Sequence, residues 1–210
     1  MKTAGIYGFY PVVDEVRWLR RFLPLGVRTI QLRIKEQATA EVQRQLREAL
    51  AMVADYPDSQ LIINDYWREA IALGATWLHL GQGDLAGADR AAIRAAGIKL
   101  GVSTHSPAEL DHALTAQPDY LALGPIYPTT LKQMPWSPQG LARIGEWQGR
   151  CPVPLVAIGG ITLERAPAVL AAGADLIAVV SDVLRHPDPD QRVCAWLDLF
   201  RDAATSAKAA

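Results

Sequence analysis

Apolar positions recur along this chain in two alternating rhythms. Short runs rich in Val, Ile and Leu fall at residues 6–13, 29–34, 61–64, 77–80, 99–103, 120–123, 155–158 and 176–180. They have the length of strands rather than helices. Between them lie stretches with one-sided apolar spacing, as in Val42, Leu46, Leu50 and Val53 after Thr39. Such stretches predict crossover helices, which parallel strands require. Helix punctuation supports the alternation. Asp14 is placed to cap a helix running to Leu23, with Gly26 just beyond. Ser106-Pro107-Ala108-Glu109 reads as a capping box with proline at the first helical position. Thr162 opens a helix that stops at Gly173, and Ser181 is placed to cap a short helix over 182–184. Eight strand–helix units without a linker predict an α/β fold, a single (β/α)8 TIM barrel over 1–210. An open doubly wound sheet is the competitor. The strand count favours closure, as does the lack of a dinucleotide-type glycine fingerprint after the first run.

Composition narrows the class. The 210 residues suit one domain, and a 50% hydrophobic content supplies a sizeable core. The net charge of -1 gives no basic excess for nucleic acid or an anionic membrane, so neither is expected as a partner. Cys151 and Cys194 have no metal-type spacing; both read as packing residues in a reducing compartment. The N-terminal apolar run contains Pro11 and stops at Asp14, unlike a signal peptide, and no run approaches the ~18 apolar residues of a membrane span. A cytoplasmic location is expected.

In a closed barrel the chemistry gathers at the C-terminal ends of the strands. In the second run Ile30, Leu32 and Ile34 share one face, and Gln31, Arg33 and Lys35 share the other. The apolar face must meet the helices, so the polar face turns to the axis and mouth. Two cations there need an anionic partner, and a diphosphate suits them; the bland alternative is a solvated edge strand. Asp65 ends the third run and Asp84 follows the fourth, placed to share a hard cation such as magnesium, although helix capping explains either one alone. Ser103 and His105 end the fifth run, with His105 expected to be a hydrogen-bonded supporting residue. His79, His112 and His186 read as structural. A long loop, 124–135, follows the sixth run and carries adjacent hydroxyls before Lys132, as a lid or phosphate clamp would. Gly159-Gly160 and the segment ending at Ser181 follow the last two runs, where barrels commonly build a backbone phosphate cup. Two anion regions point to two phosphorylated substrates, one a diphosphate.

These segments together resemble the thiamine-phosphate synthase family. The resemblance rests on Gln31-Leu32-Arg33-Ile34-Lys35, Asn64-Asp65-Tyr66-Trp67-Arg68, His79-Leu80-Gly81-Gln82 with Asp84, Gly101-Val102-Ser103-Thr104-His105, Lys132-Gln133-Met134-Pro135, Gly159-Gly160-Ile161 and Ala178-Val179-Val180-Ser181. It implies a transferase that joins hydroxymethylpyrimidine diphosphate to thiazole phosphate and releases pyrophosphate. It further implies that Gln31, Arg33, Lys35, Asn64 and Lys132 bind the pyrimidine diphosphate, with Ser103 near the pyrimidine or its leaving group. Asp65 and Asp84 would hold Mg2+, and Thr129, Thr130, Gly160, Val180 and Ser181 the thiazole phosphate. Arg33, Lys35, Ser103 and Lys132 are the candidates for catalysis. The family lid usually reads Pro-Thr-x-Thr-Lys; here Leu131 replaces the second threonine of that pattern, with Thr130 beside it. Alternatives are a thiazole tautomerase, which would not need the full diphosphate grip, and a non-catalytic binder of phosphorylated metabolites. Self-association into a homo-oligomer is left open by the sequence.

Overall fold

The structure is a computed structural model that describes residues 5, 6, 8–129 and 136–209. Eight parallel strands close into a barrel in chain order: β1 (Phe9–Val13), β2 (Thr29–Leu32), β3 (Gln60–Asn64), β4 (Trp77–Leu80), β5 (Lys99–Thr104), β6 (Tyr120–Leu123), β7 (Leu155–Ile158) and β8 (Leu176–Val179). Closure is direct, since β1 pairs with β8 through Tyr10↔Ala178. Every expected run became a strand, with ends shifted by a few residues.

The helices are α1 (Arg17–Phe22), α2 (Thr39–Ala54), α3 (Trp67–Ala72), α4 (Gln82–Gly87), α5 (Arg90–Ala95), α6 (Pro107–Thr115), α7 (Gly140–Arg150), α8 (Ala166–Ala171), α9 (Ser181–Leu184) and α10 (Pro189–Ala209). Among the described residues, no helix is long and apolar enough to cross a membrane.

Strand alternation divides the apolar side chains into two cores. The larger lies between strands and helices and includes Ile30, Leu32, Leu46, Leu80, Trp147 and Trp196. The smaller fills the barrel interior with Tyr10, Val12, Ile62, Trp77, Tyr120, Val156 and Leu176. Ile30 and Leu32 thus face the helices, as their alternation requires, and Gln31 is buried on the other side. At Gly101 an added Cβ would lie 2.0 Å from the Tyr120 ring, so glycine there is what lets Tyr120 occupy the barrel floor.

Several local expectations are corrected. Asp14 does not cap α1, which starts after Val16; its carboxylate accepts from the Trp18 indole at 3.0 Å. The helix stops at Phe22 because a 3-10 turn containing Pro24 follows. Ser106 caps α6 by accepting from Glu109 N at 3.2 Å, but Glu109 reaches back to His105 N at 2.8 Å. Helix α8 begins at Ala166 rather than at Thr162, which instead closes a turn by accepting from Arg165 N. Ser181 is the first residue of α9, and no side chain caps that helix. Cys151 is buried as a packing residue, whereas Cys194 is exposed on the outer face of α10.

Candidate active site

A cavity of about 560 Å³ opens at the C-terminal ends of the strands. Its wall includes Gln31, Arg33, Lys35, Asn64, Asp65, Asp84, Ser103, His105, Thr129, Val180 and Ser181, brought together from the strand ends and the loops after them. Thr130, Leu131 and Lys132 lie outside the described residues. Gly159 rather than Gly160 is in the wall. A Cβ on Gly160 would stand 2.5 Å from the Pro128 carbonyl, so this residue lets the loop after β6 pack against the loop after β7. Two backbone bonds fasten those loops, Ile126 N to Ile158 O and Tyr127 N to Gly159 O, both 3.0 Å.

The cationic side is built by β2 and its extension. Arg33 donates its backbone N–H to Val13 O at 2.7 Å, which carries the strand's alternation one residue past Leu32. Its side chain is half-buried at the cavity, and among the described residues no carboxylate forms an ion pair with it. A half-buried guanidinium without a counter-charge is ready for an anionic ligand. Lys35 is more exposed and donates to Asp65 Oδ2.

The acidic pair stands opposite. Asp65 has φ 69°, which turns the chain out of β3 before α3 begins. Neither Asp65 nor Asp84 makes a side-chain cap, so capping does not account for them. The two carboxyls are close enough to share a hydrogen bond. Desolvation, then the adjacent Asp65 charge, pushes the Asp84 carboxyl above its ordinary value, with Lys35 working against the shift. Just below, Asn64 is 5% exposed and its Nδ2 has no partner among the described residues. Two crowded carboxyl groups and an orphaned amide donor fit a hard cation carrying an anionic ligand, the rest of its shell coming from water and phosphate oxygens.

Under the mouth, His79 Nδ1 lies 2.8 Å from Tyr120 Oη, and His79 Nε2 lies 2.8 Å from Ser103 Oγ. Burial, with the Arg33 charge adding to it and Asp65 opposing, lowers the His79 pKa to about 4, so the ring is neutral. The expectation that His79 is merely structural is therefore corrected: it stands in the cavity wall and holds Ser103. Its signal was available in the strand parity, since His79 shares the inward face with Trp77 and pairs with Gly101. His105 bonds Glu109 Oε2 through Nδ1 at 2.7 Å, as a supporting residue does. His112 lies 2.9 Å from Gln82 Oε1, and Gln82 Nε2 donates to Ser103 O at 2.7 Å. The rim adds Asp14, Arg17, Trp18 and Arg185, which sequence reasoning did not select because no motif marks them.

Such a mouth defines the class as a phosphate-handling (β/α)8 barrel enzyme. The family model described as thiamine monophosphate synthase matches residues 9–183, and the chain belongs to that family. A thiamine-phosphate synthase of Rhizobium etli is 56% identical over 190 residues, 90% of this chain and 93% of that protein. One from Salmonella typhimurium is 54% identical over 182 residues, 86% of each chain. Among solved structures, thiamine phosphate pyrophosphorylase from Pyrococcus furiosus superposes with a TM-score of 0.82 at 28% identity, covering 93% of this chain and 96% of that one. A 3-hexulose-6-phosphate synthase from Salmonella typhimurium, at 17% identity and a TM-score of 0.66, covers 93% of this chain and 99% of that one and shares the fold alone.

Proposed function

We propose that this chain, acting as one domain, is a thiamine-phosphate synthase that condenses hydroxymethylpyrimidine diphosphate with thiazole phosphate, giving thiamine phosphate and pyrophosphate. The observation that carries the reading is the meeting, at one barrel mouth, of Arg33, which pairs with no carboxylate among the described residues, with Lys35 and the Asp65/Asp84 carboxyl pair. A tautomerase has no use for that diphosphate-sized charge cluster. A passive binder would need no carboxyl pair matched to a metal.

The chemistry follows from where charge develops. The aminopyrimidine ring donates electrons to its methylene carbon, so the bond to the diphosphate oxygen can break ahead of attack. Negative charge then grows on the departing oxygens. Arg33 and Lys35 face those oxygens as preorganised donors, the electrostatic role in which one group is commonly worth about 100- to 1000-fold in rate. Asp65 and Asp84 are the residues that would hold magnesium, which when bound supplies charge neutralisation for the leaving pyrophosphate. Asn64 and Gln31 would orient the pyrimidine end in the buried part of the cavity. Thr129, Val180 and Ser181, with the loop at Gly159-Gly160, would hold the thiazole phosphate so that the ring nitrogen faces the methylene carbon. Lys132, Thr130 and Leu131 belong to the same reading on family grounds.

The test is an assay of pyrophosphate release with protein, magnesium and both substrates. Release should need all components and should match thiamine phosphate formed. Arg33→Ala should lower kcat/KM by about 100-fold or more while the circular dichroism spectrum is kept. Interconversion of thiazole isomers without the pyrimidine would favour the tautomerase instead.

A further inference from the structure

The end of the cavity read as the thiazole-phosphate site is built from neutral groups. Thr129 and Ser181 bring hydroxyls, and the turn at Gly159 brings backbone. A phosphate monoester carries about −1.5 to −2 charges at pH 7, so neutral donors alone leave it without a counter-ion.

Most cations near this end are committed elsewhere. Arg33 and Lys35 belong to β2 and its extension, two strands from β8, and Lys35 meets the Asp65 carboxylate. Arg17, in the wall, pairs with Glu15 at 3.2 Å. Arg165 donates to Gly160 O at 2.6 Å, lies over the Tyr127 ring, and does not line the cavity.

Arg185 is placed differently. Its backbone N–H donates to Ser181 O at 3.1 Å, one helical turn back, and residues four apart share a helix face. Ser181 and Arg185 both line the cavity. The Arg185 side chain is exposed, and among the described residues it forms no ion pair with a carboxylate. The acids closest to it in sequence are engaged: Asp182 by Arg192 and Trp196, Asp188 by Gln191 N at 3.1 Å, and Asp190 by Arg21. No local carboxylate draws the guanidinium away from the mouth.

We propose that Arg185 is the counter-ion of the second substrate's phosphate, meeting it beside Ser181 and selecting the phosphorylated thiazole over the unphosphorylated alcohol. The proposal deepens the synthase reading and rests on it for the identity of the ligand. The neutral donors fix where the phosphate sits. Arg185 supplies the charge, and its planar fork suits two phosphate oxygens.

The test is calorimetric binding to the full chain, with magnesium pyrophosphate present so that the other anion region is filled. Arg185→Gln should weaken thiazole phosphate binding about tenfold at low salt, because a charge-assisted bond is lost. Arg185→Lys keeps the charge but not the fork, and should fall between the two. The alcohol should bind all three proteins within about twofold, since it offers no charge to the guanidinium. Raising the salt should narrow the gap between parent and Arg185→Gln. Arg185 is exposed, so the thermal midpoint of each variant should match the parent. Equal weakening of phosphate and alcohol would mean that the residue acts only through the shape of α9, and overturns the proposal. Unaltered phosphate binding by Arg185→Gln overturns it too, while leaving the synthase reading in place. A parent chain that binds no thiazole phosphate sinks that reading and the proposal together.

Discussion

Asp65 adopts φ 69°, a conformation uncommon for any residue with a side chain, though Asp tolerates it better than most. The turn is held by its own backbone: Asp65 N donates to His79 O at 2.9 Å, and Asp65 O accepts from Trp67 N at 2.7 Å. The side chain is thereby fixed beside Asp84, where like charges crowd without a metal. Asp84→Asn removes that conflict. The thermal midpoint in EDTA should rise or stay level rather than fall. The magnesium concentration for half-maximal rate should increase about tenfold or more, since losing even an outer partner of a metal site commonly costs about 10- to 100-fold in affinity. A midpoint that drops, with unchanged magnesium dependence, would show the pair to be structural. These two aspartates were legible in the sequence because acidic residues at strand ends stand out against apolar runs. His79 carried its signal in the same strand parity as Trp77, but a lone histidine inside an apolar run has no sequence neighbour that marks it as a site residue.

Between elements, the proposed phosphate cup depends on where α9 is anchored. Asp182 in its first turn receives two bonds from Arg192 of α10, at 2.9 and 2.8 Å, and one from Trp196 Nε1 at 2.7 Å. The Arg192 and Asp182 side chains are 14% and 8% exposed, so this pair is close to buried. It ties an acidic side chain away from the cavity while Val180 and Ser181 face it. Arg192→Ala leaves the Asp182 charge without its main partner, and denaturant unfolding should show a loss of roughly 3 kcal/mol. KM for the thiazole phosphate should rise more than kcat falls, because α9 loses its position while the Arg33 side of the mouth is untouched. A stable variant with unchanged KM would detach α10 from the site. The strands and the order of the elements were legible from periodicity. This anchor was not, because it joins residues 10 and 14 positions apart through a break at Pro187 and Pro189 that no helical spacing describes.

At the scale of the barrel, the interior must accept polar groups while staying dry, and that couples stability to pH. His79 is buried and neutral, with its pKa lowered to about 4 from an ordinary 6.5. The unfolded chain takes up a proton at this position as pH falls below about 6.5, and the native protein does not until near 4. Between those values the unfolded state binds more protons, so acidification favours unfolding. The stability contributed by keeping His79 neutral is complete above the upper value and drains away as pH falls toward the lower one. From pH 7 to 4.5 the loss amounts to about 2 kcal/mol, because each pH unit between the two values costs roughly 1.4 kcal/mol. Other groups add their own pH dependence, Asp84 with the opposite sign because its carboxyl is held above its ordinary value, so the comparison must be between proteins rather than between pH values. His79→Gln keeps a polar group between Tyr120 and Ser103 but removes the titration. It should be less stable than the parent at pH 7 through its altered hydrogen bonds, yet the gap should narrow by about 2 kcal/mol at pH 4.5. Urea unfolding of the two proteins at both pH values measures this directly. Parallel losses would mean that the imidazole takes up its proton in the native barrel, and that the interior is wetter than its packing indicates.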